Sequence, residues 1–154
     1  MRYVLGCKGC GTLCVKKSAE YFNATIVKKL SDIDWNKAKM VCVPGGCGDD
    51  ILNDLSETYI KRLKEWIHNE KGTYIGICCG AYLAMEDIEF EGVKKKSFGV
   101  LPGLAKGPYY SNGKPFTFGD ATQGRVVQLY DINGCYYESF YYGGPVFQNI
   151  RGSP

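Results

Sequence analysis

The chain has 154 residues, of which 45% are hydrophobic and 23% are charged. That balance is ordinary for a soluble globular protein and excludes a wholly disordered chain. The formal net charge is only +3, and no run of about 18 apolar residues occurs. We therefore predict one domain over residues 1–154, with neither a nucleic-acid surface nor a membrane span.

The first half of the chain alternates predicted strands and helices. Apolar and β-branched runs predict strands over residues 2–6, 25–27, 39–43 and 73–77, and helical patterns cover residues 13–22, 57–71 and 81–85. Such alternation is typical of βαβ units, in which the strands pair in parallel and helices cover the sheet. We therefore predict an α/β fold with a doubly wound parallel sheet and helices on both faces.

The helix predicted over residues 57–71 carries the clearest signals. Ser56 is a natural N-cap, and Gly72 stands where a C-terminal glycine belongs. Five apolar side chains share one face at helical spacing, which predicts their burial: Tyr59, Ile60, Leu63, Trp66 and Ile67.

The second half is rich in tyrosine and glycine and predicts a C-terminal antiparallel β section. Asn112-Gly113 and Asn133-Gly134 are hairpin turn signals, and residues 126–131 and 135–142 are predicted to pair around the second of them. The run Lys94-Lys95-Lys96 follows an acidic stretch and predicts a solvated loop rather than a nucleic-acid patch.

The segment Gly76-Ile77-Cys78-Cys79-Gly80 joins a predicted buried strand to a predicted helix. A nucleophile elbow needs a sharp turn there, with small residues two positions before and two positions after the nucleophile. Gly76 and Gly80 occupy those positions, so Cys78 is the candidate nucleophile and the Cys79 N–H is a candidate oxyanion donor. The helix N-terminus would favour the thiolate. The alternative is that both cysteines merely fill the core.

A second turn, Val43-Pro44-Gly45-Gly46, ends another predicted strand. Loops that follow parallel strands gather at one edge of the sheet. Gly45 and Gly46 are therefore expected near Cys78, where their N–H groups could contact an oxyanion. The alternative is a plain Pro-Gly-Gly turn.

Four motifs, in this order, resemble those of a known family: VPGG (43–46), YIGICCGAY (74–82), LPGLAKGP (101–108) and YYGGPVF (141–147). The sequence is similar to the amidotransferase-like N-terminal domain of eukaryotic biotin–protein ligases and to its stand-alone microbial relatives. That domain belongs to the class I glutamine amidotransferase-like superfamily. The resemblance implies a flavodoxin-like sandwich, with Cys78 at the nucleophile position and Gly45 and Gly46 in the oxyanion loop.

The sequence departs from that superfamily at the catalytic base. Active glutamine amidotransferases carry a His-x-Glu pair after a late strand, and here residues 140–145 read Phe-Tyr-Tyr-Gly-Gly-Pro. The one histidine, His68, is predicted on the solvent face of its helix and far from Cys78. A thiol with a pKa of about 8.5 and no base is mostly protonated at neutral pH, so ordinary glutaminase activity is not expected.

Further candidate pocket residues come from the loops at the same edge of the sheet. Cys10 and Cys47 follow two predicted strands, and Asp49 and Tyr142 could also approach Cys78. We predict these four residues as candidates to line a pocket around the nucleophile.

The remaining cysteines have less specific patterns. Cys7-x-x-Cys10 resembles half of a zinc site, but no second such pair exists, so no metal is predicted and a transition metal is only an alternative. Cys14 is predicted to face away along its helix, and Cys42 and Cys135 are predicted to pack within strands.

Three functions fit these residues. In the first, Cys78 attacks a carbonyl in a cysteine-dependent hydrolase or transferase of unknown substrate. In the second, the chain is a non-catalytic binding or regulatory module for an unidentified small molecule or protein. In the third, it is a redox sensor in which Cys78 pairs with Cys10 or Cys47. No cofactor is predicted, the oligomeric state is open, and the thiol-rich α/β pattern without an evident signal peptide predicts a cytoplasmic location.

Overall fold

Four short apolar strands form a parallel sheet at the centre of the fold. They are β1 (Arg2–Leu5), β2 (Thr25–Val27), β3 (Met40–Val43) and β4 (Thr73–Gly76), and their spatial order is β2-β1-β3-β4. The structure is a computed structural model that describes residues 1–109, 117, 120–130 and 133–150. The strand order reverses between β1 and β3, so a crevice is expected at the carboxyl ends of these strands.

Helices cover both faces of this sheet. The described helices are α1 (Thr12–Phe22), α2 (Gly48–Asp54), α3 (Glu57–Glu70) and α4 (Cys79–Ala84). Val4 packs on the α1 side with Val15 and with Cys42, which is buried in its strand as predicted. Its neighbour Leu5 belongs to the opposite cluster with Leu63 of α3. Successive residues of a strand point to opposite faces, so this division confirms the doubly wound α/β prediction.

Helix α3 forms where the sequence predicts it, but its C-terminal residue and the exposure of Tyr59 differ from the prediction. Its left-handed C-terminal residue is Lys71, with a φ of 56°, rather than Gly72. Gly72 instead lies against the indole of Trp66, where an added Cβ would stand 2.3 Å from the ring. The glycine is therefore needed for space rather than for backbone conformation. Leu63 and Trp66 are buried, whereas Tyr59 in the first turn is 39% exposed.

A second sheet follows α4 and was not predicted. Its strands are β5 (Met85–Phe90), β6 (Val93–Lys96), β7 (Leu101–Gly107) and β10 (Val146–Gln148), in the order β10-β7-β5-β6. The loop predicted for the lysine run 94–96 is wrong, because these lysines lie in β6. Two of them face acidic residues across the antiparallel β5–β6 ladder, Lys94 opposite Glu89 and Lys96 opposite Asp87. Opposite charges on facing strands stabilise the pairing of β5 with β6, although the sequence of neither strand alone predicts it.

The predicted C-terminal hairpin is present as β8 (Arg125–Tyr130) and β9 (Tyr136–Tyr141), paired antiparallel. Cys135 lies outside β9 and is exposed, so its predicted packing within a strand is wrong. The other hairpin signal, Asn112-Gly113, and the predicted strand end at Asp131 lie outside the described residues. None of the helices in the described residues is long and apolar enough to cross a membrane.

Candidate functional site

Cys78 lies between β4 and α4 in an unusual backbone conformation. It is the N-cap of α4, with a φ of 51° and a ψ of −107°. Residues with a side chain rarely adopt such a positive φ, which costs about 1–3 kcal/mol and persists only where the surroundings fix it. The chain therefore turns sharply at this one residue.

Two glycines flank the turn and leave no room for a larger side chain. A Cβ on Gly80 would stand 1.9 Å from the carbonyl oxygen of Val43 in β3, and one on Gly76 would stand 2.5 Å from the Gly80 carbonyl oxygen. The hydroxyl of Tyr74 donates a hydrogen bond of 2.7 Å to the same Gly80 oxygen. Close packing of α4 against β3 thus fixes the backbone around Cys78.

The loop after β3 contacts Cys78 directly. A Cβ on Gly45 would lie 3.3 Å from the Cβ of Cys78. The Gly45 N–H donates to the sulfur of Cys14 at 3.3 Å, and its carbonyl accepts from the Gly11 N–H at 2.8 Å. The prediction that Cys14 faces away from the site is therefore wrong, because the start of α1 is hydrogen-bonded to this loop.

The loop after β1 joins the same region. Cys10 and Gly46 pair as an isolated antiparallel bridge, and the Cys47 N–H donates to the Gly9 carbonyl at 2.8 Å. A Cβ on Gly46 would stand 2.0 Å from that Gly9 oxygen, so only glycine fits. The carboxyl ends of β1, β3 and β4 therefore meet in one small region, as a parallel sheet requires.

A cavity of about 120 Å³ opens beside Cys78. Its apolar wall comes from α2, α4 and β5 and consists of Leu52, Tyr82, Leu83, Ile88 and Phe90. Five of the predicted site residues line it: Gly46, Cys47, Asp49, Cys78 and Cys79. A volume of this size holds a few water molecules or a small organic group.

Three of the predicted site residues do not line this cavity. Gly45 lies against Cys78, as described above. Cys10 has its sulfur 3.5 Å from that of Cys7. The hydroxyl of Tyr142 donates to the carbonyl of Thr117 at 3.0 Å.

Lys95 lines the cavity, and the sequence analysis missed it. It extends from β6, and its ammonium group pairs with the carboxylate of Asp49 in α2. Both side chains remain partly exposed to solvent. The signal that could have found Lys95 is the acidic segment before the lysine run. If the two segments had been predicted to pair as strands, a lysine would have been expected on the surface of that sheet.

The Cys78 environment favours the neutral thiol. Burial raises the pKa of Cys78 above its ordinary value; the Cys79 N–H partly offsets this by donating to the sulfur, and the Cys14 sulfur adds to the increase. Burial also raises the pKa of Cys79, to about 12. The expectation that a helix N-terminus favours the Cys78 thiolate does not hold, because α4 has only six residues and the sulfur is desolvated.

The segment at the expected position of the catalytic base carries no histidine. Gly143 of this segment lines the cavity, and its neighbour Gly144 accepts hydrogen bonds at its carbonyl from the hydroxyls of Tyr82, at 3.1 Å, and Tyr141. His68 is exposed on α3 and does not line this cavity. The titratable side chains around the cavity are cysteines, one tyrosine and the Lys95–Asp49 ion pair.

Within the described ranges, no three cysteine, histidine or acidic side chains are arranged so that they could hold a metal ion.

The fold identifies the class of protein. A solved structure described as "Crystal structure of glutamine amidotransferase" matches with a TM-score of 0.67 and 18% sequence identity, covering 96% of this chain and 75% of that chain. The chain thus has the glutamine amidotransferase-like fold, as the resemblance implied.

The family within that class is also established. The model of the family "Biotin-protein ligase, N terminal" matches residues 14–152, and the chain belongs to that family. An uncharacterized protein of Chlamydia muridarum (strain MoPn / Nigg) is 28% identical over 119 residues, which cover 73% of this chain and 45% of that protein. The chain therefore spans less than half the length of this relative.

Proposed function

We propose that Cys78 is the nucleophile of a cysteine-dependent acyl-transfer site that acts on a small carbonyl compound bound in the cavity. The observation that carries the proposal is the turn at Cys78, where a residue with a φ of 51° lines a cavity and contacts a glycine loop. Backbone strain of this kind clusters at functional sites. The arrangement has the form of a nucleophile elbow.

Two backbone donors suit the oxyanion that such a reaction forms. Gly46 and Cys79 line the cavity, and within the described residues neither N–H group donates to a backbone carbonyl, although that of Cys79 contacts the Cys78 sulfur. In the proposed reaction the Cys78 sulfur bonds to the carbonyl carbon, and the carbonyl electron pair moves to the oxygen that these donors stabilise. Collapse of that intermediate expels the leaving group, which takes up the proton lost by the thiol.

The lack of a histidine base at the cavity determines which class of substrate the site suits. An amide nitrogen leaves only when it is protonated, and no histidine borders the cavity to deliver a proton. Thioesters and activated esters have leaving groups that depart without such help. The site therefore suits an activated acyl compound better than glutamine, and its reactivity is expected to increase with pH as the thiolate forms.

Covalent labelling tests this proposal. The folded protein is treated with a small thioester and, separately, with a chloroketone analogue of glutamine, and intact mass and peptide mapping locate the adduct. We expect an adduct on Cys78, besides any on the accessible Cys10 and Cys135, with faster labelling at alkaline pH. Cys79→Ser should retain the Cys78 adduct, and Cys78→Ser should lose it. The absence of an adduct at Cys78 in folded protein, while Cys10 or Cys135 is labelled, would refute the proposal.

The second candidate is a non-catalytic binding module, and a specific observation favours it. The Cys78 pKa is raised, so little thiolate is available to react, and the cavity wall is apolar, which suits ligand binding. A screen of small carboxylic acids and amides by thermal shift distinguishes the two. A ligand that stabilises wild type and Cys78→Ala equally, without an adduct, would favour binding alone; stabilisation that depends on the thiol would favour the nucleophile.

A further inference from the structure

A second pair of thiols lies outside the cavity, in the loop Cys7-Lys8-Gly9-Cys10 between β1 and α1. The two sulfurs are 3.5 Å apart. We propose that Cys7 and Cys10 form a redox-active dithiol that closes to a disulfide by exchange with a small-molecule disulfide.

The backbone of this loop already suits the bond. The Cys10 N–H donates to the Cys7 carbonyl at 3.2 Å, and Gly9 has a φ of 89°. These are features of a tight β-turn, whose end residues lie within about 7 Å at Cα, close to the range in which a disulfide forms without backbone movement. The sulfurs need to approach by only about 1.5 Å to reach the bond length of about 2.05 Å.

Alternative pairings are less well placed. Within the described residues, a hydrogen bond between two sulfurs is found at Cys7 and Cys10 alone. The sulfur of Cys14 is engaged by the Gly45 N–H. Cys78 and Cys79 are sequence neighbours, whose disulfide would close a strained ring. We therefore favour Cys7 and Cys10 as the redox pair over the alternative, left open by the sequence, of Cys78 with Cys10 or Cys47.

The two sulfurs differ in exposure and in pKa, and this difference determines which of them reacts first. Cys10 is partly exposed, whereas Cys7 is buried and 6% exposed. A hydrogen bond from the Cys7 thiol lowers the pKa of Cys10, and the same interaction raises the pKa of Cys7. Cys10 is thus the accessible thiol with the greater thiolate fraction, which is the group that attacks a disulfide.

The reaction then has two balanced steps. The Cys10 thiolate attacks one sulfur of the small disulfide, forms a mixed disulfide and releases one small thiol. The Cys7 sulfur, as it loses its proton, attacks the Cys10 sulfur and displaces the second small thiol. Two protein thiols are oxidised to one disulfide, and one small disulfide is reduced to two thiols.

The loop that carries this dithiol is joined to a loop that lines the cavity. Cys10 forms an isolated bridge with Gly46, and the residues on either side of Cys10 share two hydrogen bonds of 2.8 Å with the loop 45–47. The dithiol itself does not depend on the chemistry assigned to Cys78.

Peptide mapping in glutathione buffers tests the pair. Protein is equilibrated over a series of oxidised-to-reduced ratios, quenched in acid, alkylated and cleaved with trypsin. Cleavage after Lys8 separates Cys7 from Cys10, so peptides 3–8 and 9–16 remain joined only when a disulfide links them. Fragmentation of the joined peptides distinguishes Cys10 from Cys14. We expect the Cys7–Cys10 link to be the first disulfide to form and to be fully reversed by reduced glutathione.

Variants trap the intermediate and supply the control. Cys7→Ser should leave Cys10 as a stable mixed disulfide with glutathione, and Cys47→Ser should close the Cys7–Cys10 link as wild type does. The wild-type result is decisive even if a variant fails to fold. A first disulfide that involves Cys47 or Cys78, or a Cys7–Cys10 pair that stays reduced while other thiols acquire glutathione, would overturn the proposal.

Discussion

A Cβ on Gly45 would stand 3.3 Å from the Cβ of Cys78. The turns after β3 and β4 therefore contact each other at Gly45, where a glycine leaves room for Cys78. This contact brings the candidate nucleophile beside the loop whose Gly46 N–H borders the same cavity. A methyl group added at Gly45 would push on Cys78 without entering the cavity.

Substitution of Gly45 therefore tests whether the position of Cys78 matters. In Gly45→Ala the thiol must shift by a few tenths of an ångström, and we expect labelling of Cys78 by the thioester to slow roughly tenfold, since small misplacements of a reacting group are costly. The matched control is Gly144→Ala, where a Cβ meets only an ordinary contact of 3.6 Å with the ring of Tyr141. Equal labelling rates in the two variants would show that the contact has no role in reactivity.

The glycine after the turn is predicted to matter for stability. A Cβ on Gly80 would stand 1.9 Å from the carbonyl oxygen of Val43, which is backbone and cannot rotate away. We expect Gly80→Ala to lower the free energy of unfolding by roughly 1–3 kcal/mol, as overpacking does in protein cores. Urea denaturation measures this, with Gly144→Ala again as the control. A loss no larger than that of the control would mean that α4 does not pack on β3 this closely.

Much of this site follows from the sequence because its determinants are local. The strands β1 to β4 are continuous apolar runs, and the glycines around Cys78 stand at spacings that steric contact requires. The second sheet was missed because β5 is acidic and β6 is basic, and each is stabilised by the other rather than by its own pattern. Lys95 was missed for the same reason. The orientation of Cys14 follows from a hydrogen bond between the first turn of α1 and the distant loop at Gly45, which no local pattern predicts.

The Lys95 ammonium group is predicted to select among electrophiles. Lys95→Met removes a cation from the edge of the cavity, so labelling of Cys78 by an acidic thioester should slow by roughly threefold to fivefold relative to a neutral one, a modest effect because the ion pair is solvent-exposed. Lys94→Met is the control, since Lys94 pairs with Glu89 and does not line this cavity. A loss that is equal for acidic and neutral thioesters would rule out charge recognition by Lys95.

The burial of Cys42 leads to a prediction for the pH dependence of the free energy of unfolding. Burial raises the pKa of Cys42 to about 11, an increase that a hydrogen bond with Ser18 partly offsets. The unfolded chain therefore loses this proton first, so the stabilisation is complete below the unfolded-state pKa and is lost as pH rises through the folded-state pKa. Between about pH 9 and about pH 11, this thiol lowers the free energy of unfolding by up to about 1.4 kcal/mol per pH unit. Urea denaturation over that range should give a shallower decline for Cys42→Ala, and equal slopes would contradict the prediction.

The most direct test of the account is the pH dependence of Cys78 labelling, measured in the folded protein and in urea. Peptide mapping follows the rate at Cys78 alone as the pH is raised. We expect Cys78 to be labelled in the folded protein, with a labelling midpoint at higher pH than that of the same cysteine in the unfolded chain, because burial raises its pKa. A midpoint at or below the unfolded value would reveal an activating base, and a folded protein in which Cys78 stays unlabelled at every pH would contradict its role as the nucleophile.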